Sequence, residues 1–392
     1  MLPCVNTSGI YGLSCLAKRE KEAALRRLQY IGSAGRWSQC RMHTEQRIAL
    51  IVIARDEAPR IARLLNSVAG WVDDMWVLDT GSTDATAQIA VACGAQVRAW
   101  AWCDDFSAAR NAALALSSAD WHLVLDADEW LISGGEALQA LRGLSPDFVG
   151  SIQLQDRFAD GDQQRTASAW LSRLLPGPVR YAGRIHEQPM HALPVRRLPI
   201  LIGHDGYLPA PLAAKRGRNR RLLHAALLAR PDDAYLCYQF GKDCAVYDEH
   251  AEAEQAFARA AQLLAEAAPP WWPDLVARRL FALKQLQQHG AAIDFAQRQL
   301  GSTCAESPDF FFALGDVLLD LAAEQPEQAD ELLPMIEQAW RQCLELGERP
   351  EQTGAVAGRG SHLAAHNLAL VLEGTGRADE ALALRSAFSL AG

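Results

Sequence analysis

IALIVIA, residues 48–54, decides the fold. Seven residues pass without a polar side chain, which is the signature of a strand buried on both faces. Downstream, Ile61, Leu64, Leu65 and Val68 recur at i, i+3, i+4 and i+7, so a helix follows with one buried face. MWVLD (75–79) reads as a second strand. It runs into TGSTD, where Gly81 permits a tight turn and Ser82 or Thr83 can cap the next helix. AQVRAW (95–100) is a third strand, 106–117 a helix, and WHLVLD (121–126) a fourth strand. Strands alternating with helices of 10–15 residues predict an α/β fold with a parallel, doubly wound sheet.

Such sheets bind ligands outside the carboxyl ends of their strands. Asp79, Asp126 and Asp128 all fall at strand carboxyl ends, and Arg55, Asp56 and Glu57 follow the first strand on the same edge. Acidic groups from separate strands are therefore expected to share one crevice. VLDADEWL (124–131) poses the question most sharply, as either a cation site at a strand tip or a solvated turn.

Residues 145–205 are less regular, with strand-like pieces broken by Pro and Gly, and from about 209 the pattern is helical. Four stretches, 238–257, 281–300, 312–332 and 366–384, repeat a layout of apolar helix, polar turn and Ala-rich helix. Gly241, Ala282 and Gly315 lie 41 and 33 apart, near the 34-residue period of tetratricopeptide repeats, and 333–360 breaks the spacing. A helical-hairpin solenoid is preferred over a compact bundle. The expected division is a poorly ordered leader at 1–46, an α/β domain at 47–208 and an all-α helical-repeat domain at 209–392. The leader carries a short basic helix candidate around Lys18–Leu28, and Met42 offers a later translation start just before the first strand.

The 392 residues suit two or three domains, and a 49% hydrophobic fraction suits a large buried core. A formal net charge of -9 disfavours a nucleic-acid partner. No segment approaches a membrane-spanning length, and the N-terminus lacks a signal-peptide layout. Nine cysteines without a CxxC pair fit a reduced compartment, with Cys237 and Cys244 as core residues on one helix face. The expected location is cytoplasmic, with peripheral attachment at the inner membrane face as an option. KRGRNRR (215–221) reads as a solvated face, with contact to an anionic lipid-linked acceptor as the second choice.

IVIARDEAPRIARLLNSV, VLDTGSTDATAQIA and FSAARNAALALSSADWHLVLDADEWL together resemble the family 2 glycosyltransferases with a GT-A fold. YAGRIHEQP and HDGYLPAPLAAKRGRNRRLL are similar to a branch in which tetratricopeptide repeats follow the catalytic domain. The resemblance covers roughly 47–265. The family's Asn-Glu after the first strand stands here as Asp56-Glu57.

The resemblance implies an inverting transfer of a hexose from a nucleotide-diphosphate sugar, a UDP-sugar by preference, to an acceptor hydroxyl. Mn²⁺ or Mg²⁺ would be the cofactor, since hard cations prefer oxygen ligands and neutralise a leaving diphosphate. By resemblance Asp128 ligates the metal and Asp126 faces the ribose or the metal; the alternative is a helix N-cap at Asp128 or Glu129. His204 is the second metal candidate, with Asp205 as its rival. Asp79 would accept from a uracil-like base, or build an Asx turn with Gly81 and Ser82. Glu57 would face the nucleotide, or favour its helix dipole. Arg110 and Asn111 would lie near the diphosphate or donor sugar, Arg110 being suited to phosphate oxygens; the alternative is a surface Arg paired with Asp104 or Asp105. Glu187 in RIHE is the candidate general base, because direct inversion needs a proton acceptor opposite the leaving group. His186 would support it.

The acceptor would be a glycan, lipid-linked or protein hydroxyl, and the repeats would bind it or a protein partner. Two rivals stand beside this reading. A nucleotidyltransferase would carry a Gly-rich basic loop where ARDEAPR stands. A transferase-like scaffold without catalysis would use only its repeats.

Overall fold

A computed structural model describes residues 45–160, 163–207, 217–264 and 268–388. The expected leader and the Met42 start fall at 1–44, outside the described residues apart from 45–46. Glu45–Gly392 packs as one compact unit.

The first half of the sheet follows the apolar pattern. β1 (Ile48–Ala54), β2 (Asp74–Asp79), β3 (Gln96–Ala99) and β4 (Trp121–Asp126) lie side by side in the order β3-β2-β1-β4, all parallel. β1 is central. Ile48, Leu50 and Val52 pack on one face with Ile61, Leu64, Leu65 and Val68 of α1 (Ile61–Val68). Ala49 and Ile51 pack on the other with Ala109, Ala113 and Leu114 of α3 (Phe106–Leu114). Each large aliphatic side chain buried from α1 contributes on the order of 2 kcal/mol. Between β2 and β3 runs α2 (Thr86–Ala92). The crossover helices are 8, 7 and 9 residues long, shorter than the expected 10–15, and turns and bends take up the rest of each connection.

The other half of the sheet is mixed. It continues with β5 (Glu129–Ser133), β6 (Val149–Asp160), β7 (Gln163–Pro176) and β10 (Val195–Tyr207) in the order β4-β7-β6-β10-β5. β7 runs antiparallel to β4 and to β6, and β10 runs parallel to β6. The stretch that looked irregular therefore contains the longest strands among the described residues, β6 with 12, β7 with 14 and β10 with 13. A short helix α4 (Gly135–Leu141) and a small hairpin of β8 (Arg180–Ala182) and β9 (Gln188–Met190) complete this part.

The remainder is helical. α5 (Arg218–Ala229) leads into four helical hairpins. They are α6 (Ala234–Val246) with α7 (His250–Leu263), α8 (Trp272–Gln285) with α9 (His289–Gln297), α10 (Pro308–Glu324) with α11 (Ala329–Leu346), and α12 (His362–Gly374) with α13 (Ala378–Ala387). They coincide with the four stretches that share a layout. Gly241 lies under the Phe257 ring and Gly315 under the Trp340 ring, which is why both positions are small. Cys237 and Cys244 are buried in the same core.

The break at 333–360 has a structural cause. After α11 the chain leaves the helical stack and forms β11 (Ala355–Val356), antiparallel to β7 with Ala355 opposite Ser168. Gly354 N–H donates to Ser168 O at 3.1 Å and Ala357 N–H to Thr166 O at 3.0 Å.

Candidate active site

A cavity of about 420 Å³ opens at the carboxyl edge of the parallel strands. Glu57, Arg110, Asp126, Asp128, Glu187 and His204 all line it. Asp79 and Asn111 do not.

β4 ends at Asp126, and a two-residue turn over Ala127 and Asp128 leads into β5. No helix starts there, so the N-cap alternative for Asp128 is excluded. The turn also separates the two aspartates, which an extended chain would have placed on one face. Asp126 accepts from Arg110 Nη2 at 2.7 Å through Oδ1 and from Arg173 Nη2 at 2.7 Å through Oδ2. Burial works against its charge, but these two cations hold the carboxyl well below the usual carboxylate range. Asp128, 4% exposed, faces His204 instead, with Oδ2 to Nε2 at 3.3 Å.

The His204 ring is clamped from both sides, with Nδ1 2.6 Å from Asp156 Oδ1. Burial opposes the imidazolium, but the hydrogen bonds to Asp128 and Asp156 prevail and lift it to about 10. The rival Asp205 turns away and pairs with Arg63 at 2.7 Å. Glu129, 2% exposed, accepts from Arg173 Nη2 at 2.8 Å and from the Asp126 N–H at 2.8 Å. Burial raises it to about 7. Its work is to fix Arg173 and the β4–β5 turn.

Arg110 comes from α3, whose N-cap Asp105 accepts from the Ala108 N–H at 2.9 Å. It is a buried side chain, 5% exposed, and not the surface Arg of the alternative. Its Nε donates to Glu187 Oε1 and its Nη2 to Asp126, while Nη1 has no hydrogen-bond partner among the described residues. Glu187 follows Gly183 (φ 101°) and His186 (φ 51°), both in the left-handed region, and this tight loop delivers its carboxylate to Arg110. The second oxygen of Glu187 has no hydrogen bond among the described residues. His186 also lines the cavity; burial, and then the Lys242 charge, push it down to about 3, so the ring is neutral.

Asn111 donates to Tyr181 O at 2.9 Å and accepts from Tyr181 N–H at 2.8 Å. Both ends of its amide thus anchor β8, the strand that leads into the loop bearing Glu187, and it does not line the cavity. Asp79 Oδ1 accepts from Ser82 N–H at 2.8 Å and from Ser82 Oγ at 2.7 Å, which is the Asx-type turn. Glu57 pairs with Arg60 at 2.8 Å. Asp56, at the position of the departure, accepts from Thr83 N–H at 2.7 Å and ties the β1 and β2 loops together.

In the basic 215–221 segment, 215 and 216 lie outside the described residues. Arg220 pairs with Asp243 and Glu249, and Arg221 with Asp104. Arg218 lines the cavity and sits over the Phe106 ring.

Three contributors were invisible to sequence reasoning. Arg173 and Asp156 meet Asp126 and His204 only through strand pairing, from 47 and 48 positions away. A charged residue inside the apolar WLSRLL run was the available signal for Arg173. The third contributor is α6, whose Tyr235, Gln239 and Lys242 line the cavity. Their i, i+4, i+7 spacing is a polar stripe on an otherwise apolar repeat helix.

No group of three or more His, Cys, Asp or Glu side chains among the described residues has the geometry to hold a metal by itself. No helix among them is long and apolar enough to cross a membrane.

Residues 49–148 match the family model described as glycosyl transferase family 2. The chain is 37% identical to a TPR repeat-containing protein of Synechococcus elongatus, over 50% of this chain and 51% of that protein. It is 28% identical to the SPbeta prophage-derived glycosyltransferase SunS of Bacillus subtilis, over 52% of this chain and 50% of that one. It spans about half the length of these curated relatives. A solved structure of MamA protein superposes with a TM-score of 0.34 at 17% identity, over 45% of this chain and 84% of MamA. The match to family 2 glycosyl transferases thus falls on residues 49–148 of the α/β half, and a helical-hairpin array follows that half.

Proposed function

We propose that the protein is an inverting glycosyltransferase that moves a hexose from a nucleotide-diphosphate sugar, by preference a UDP-sugar, to an acceptor hydroxyl. One observation carries the proposal: a single cavity at the strand edge joins Glu187, Arg110 and Asp126 in one hydrogen-bonded chain, with Asp128 and His204 beside it.

Glu187 is the base in this scheme. Arg110 holds one of its oxygens, and the other accepts the proton of the acceptor hydroxyl as that oxygen attacks the anomeric carbon. The bond to the diphosphate breaks on the opposite face. Arg110 Nη1, buried without a partner among the described residues, is available for a diphosphate oxygen. Asp126 receives Arg110 and Arg173 and keeps both guanidinium groups in place.

Asp128 and His204 are the residues that would hold Mn²⁺ or Mg²⁺. Asp128 Oδ2 and His204 Nε2 lie 3.3 Å apart in the cavity, and His204 would have to release its Nε2 proton to serve as a ligand. Two protein ligands also suit a cation that keeps waters and borrows substrate phosphate oxygens. When bound, the ion would supply charge neutralisation at the leaving diphosphate.

The placement of 47–208 as the catalytic domain and 209–392 as the repeat domain belongs to the same proposal, as does a cytoplasmic location. The test is donor binding and hydrolysis by the full chain against a panel of nucleotide sugars with Mn²⁺, repeated with Asp128→Ala. Turnover of one donor, lost in the variant, is expected. Failure to bind any nucleotide sugar would leave the scaffold alternative standing, and undiminished turnover by Asp128→Ala would remove the metal role.

A further inference from the structure

The cavity has one wall that the sheet does not supply. Tyr235, Gln239 and Lys242 of α6 line it, so the first helix of the repeat array is part of the site. The stripe is held in place. Gln188 Nε2 donates to the Tyr235 hydroxyl at 3.0 Å, joining α6 to the strand that follows Glu187. Ile185, Leu222, Leu223, Ala226 and Leu236 pack together beneath it.

Lys242 is the unusual member. Its ammonium forms no hydrogen bond or ion pair among the described residues, and the Tyr238 ring lies 5.2 Å from it. The acids whose charge reaches it are Asp274 and Asp156. Asp274 already serves Arg278 at 2.8 Å and the Tyr238 hydroxyl. Asp156 already serves His204. Arg278 adds repulsion, and burial lowers the Lys242 pKa. A cation kept in a cavity against these costs, with every nearby carboxylate taken, lacks its counter-ion.

We propose that Lys242, with Tyr235 and Gln239, forms the acceptor subsite for a substrate that carries an anionic oxygen group, phosphate or carboxylate, near its accepting hydroxyl. The subsite rests on the transferase reading for the word acceptor, but its anion recognition is measurable without turnover. Lysine binds phosphate as a point charge, and the hydroxyl and amide beside it supply neutral hydrogen bonds to the rest of the group.

The experiment titrates inorganic phosphate into the full chain by ³¹P NMR line broadening, with and without saturating UDP. Wild type, Lys242→Gln, Lys242→Met and Lys242→Arg are compared. Phosphate should bind with UDP present, weaken about tenfold or more in Lys242→Gln and Lys242→Met, and recover in Lys242→Arg. UDP affinity should be the same in all four. Thermal stability of Lys242→Met should equal or exceed wild type, since no structural ion pair is lost. Unchanged phosphate affinity in Lys242→Gln would overturn the subsite. So would displacement of phosphate by UDP, or UDP binding that weakens with the substitution, because either would give Lys242 to the donor. A wild type that ignores UDP but binds phosphate through Lys242 would sink the transferase reading and keep the anion site.

Discussion

Arg110 stands between Glu187 and Asp126, with Nε on the first and Nη2 on the second at 2.7 Å. The proposed base and the DxD strand tip are thereby fixed relative to each other by one planar group. A lysine offers a single point and cannot span both carboxylates. Arg110→Lys should keep the fold, lose transfer by about a hundredfold and weaken nucleotide binding, because the Nη1 aimed at a diphosphate oxygen is removed as well. Arg110→Ala leaves two carboxylates without their shared cation and should cost about 3 kcal/mol of stability. Thermal denaturation and steady-state kinetics on both variants separate the effects.

His122 is a buried residue of β4, and neither ring nitrogen has a hydrogen-bond partner among the described residues. Burial, and then the Arg180 charge, push it down to about 4 from 6.5. The folded value lies below the unfolded one, so the unfolded chain takes up a proton first. Stability is full above about pH 6.5 and falls as pH drops towards 4, by on the order of 3 kcal/mol. His122→Leu should flatten this part of the urea-midpoint profile between pH 6.5 and 4. An unchanged slope would assign the acid sensitivity elsewhere.

Gly241 and Gly315 test the repeat packing. A Cβ at Gly241 would meet Phe257 at 2.5 Å, and one at Gly315 would meet Trp340 at 2.5 Å. Each Gly→Ala change should cost about 1–3 kcal/mol through overpacking, against the slight gain expected for alanine in an open helix. Gly290, with nothing within 4 Å of its would-be Cβ in α9, is the control and should stabilise.

The β11 pairing can be tested by one backbone change. Ala357→Pro removes the N–H that donates to Thr166 O at 3.0 Å. The loss should be about 1 kcal/mol. Hydrogen exchange at Ser168, opposite Ala355, should quicken, while exchange in β1 should not.

The legible part of the fold was the part built from local periodicity. β1, β4 and the buried face of α1 are readable because each carries its own pattern, period-free for a doubly buried strand and 3.6 for the helix. The four hairpins were readable for the same reason. β6 and β7 were not, because a long antiparallel pair is specified by its partner strand, and Arg173, Ser172 and Ser168 interrupt the apolar run. The site divides in the same way. Asp126, Asp128, Arg110, Glu187 and His204 could be named because they sit in short motifs. Asp156, Arg173 and Lys242 belong to no motif; the pairing of β6 with β10, the pairing of β7 with β4 and the packing of α6 against the site bring them in. Asn111 shows the converse, since its motif drew attention to a residue whose amide is committed to the Tyr181 backbone.

β11 also changes how the protein should come apart. A repeat array appended by a linker melts on its own, so two transitions would be seen. Here the array contributes a strand to the sheet, and Asp309 of α10 fastens the same segment by accepting from Val356 N–H at 3.2 Å and Arg359 at 2.7 Å. The helices cannot unfold without stripping an edge from β7, nor can β7 unfold without releasing the segment between α11 and α12. Calorimetry should record a single cooperative transition, with a ratio of van't Hoff to calorimetric enthalpy near one. The α/β and helical halves would then be inherited, and lost, as one cooperative block.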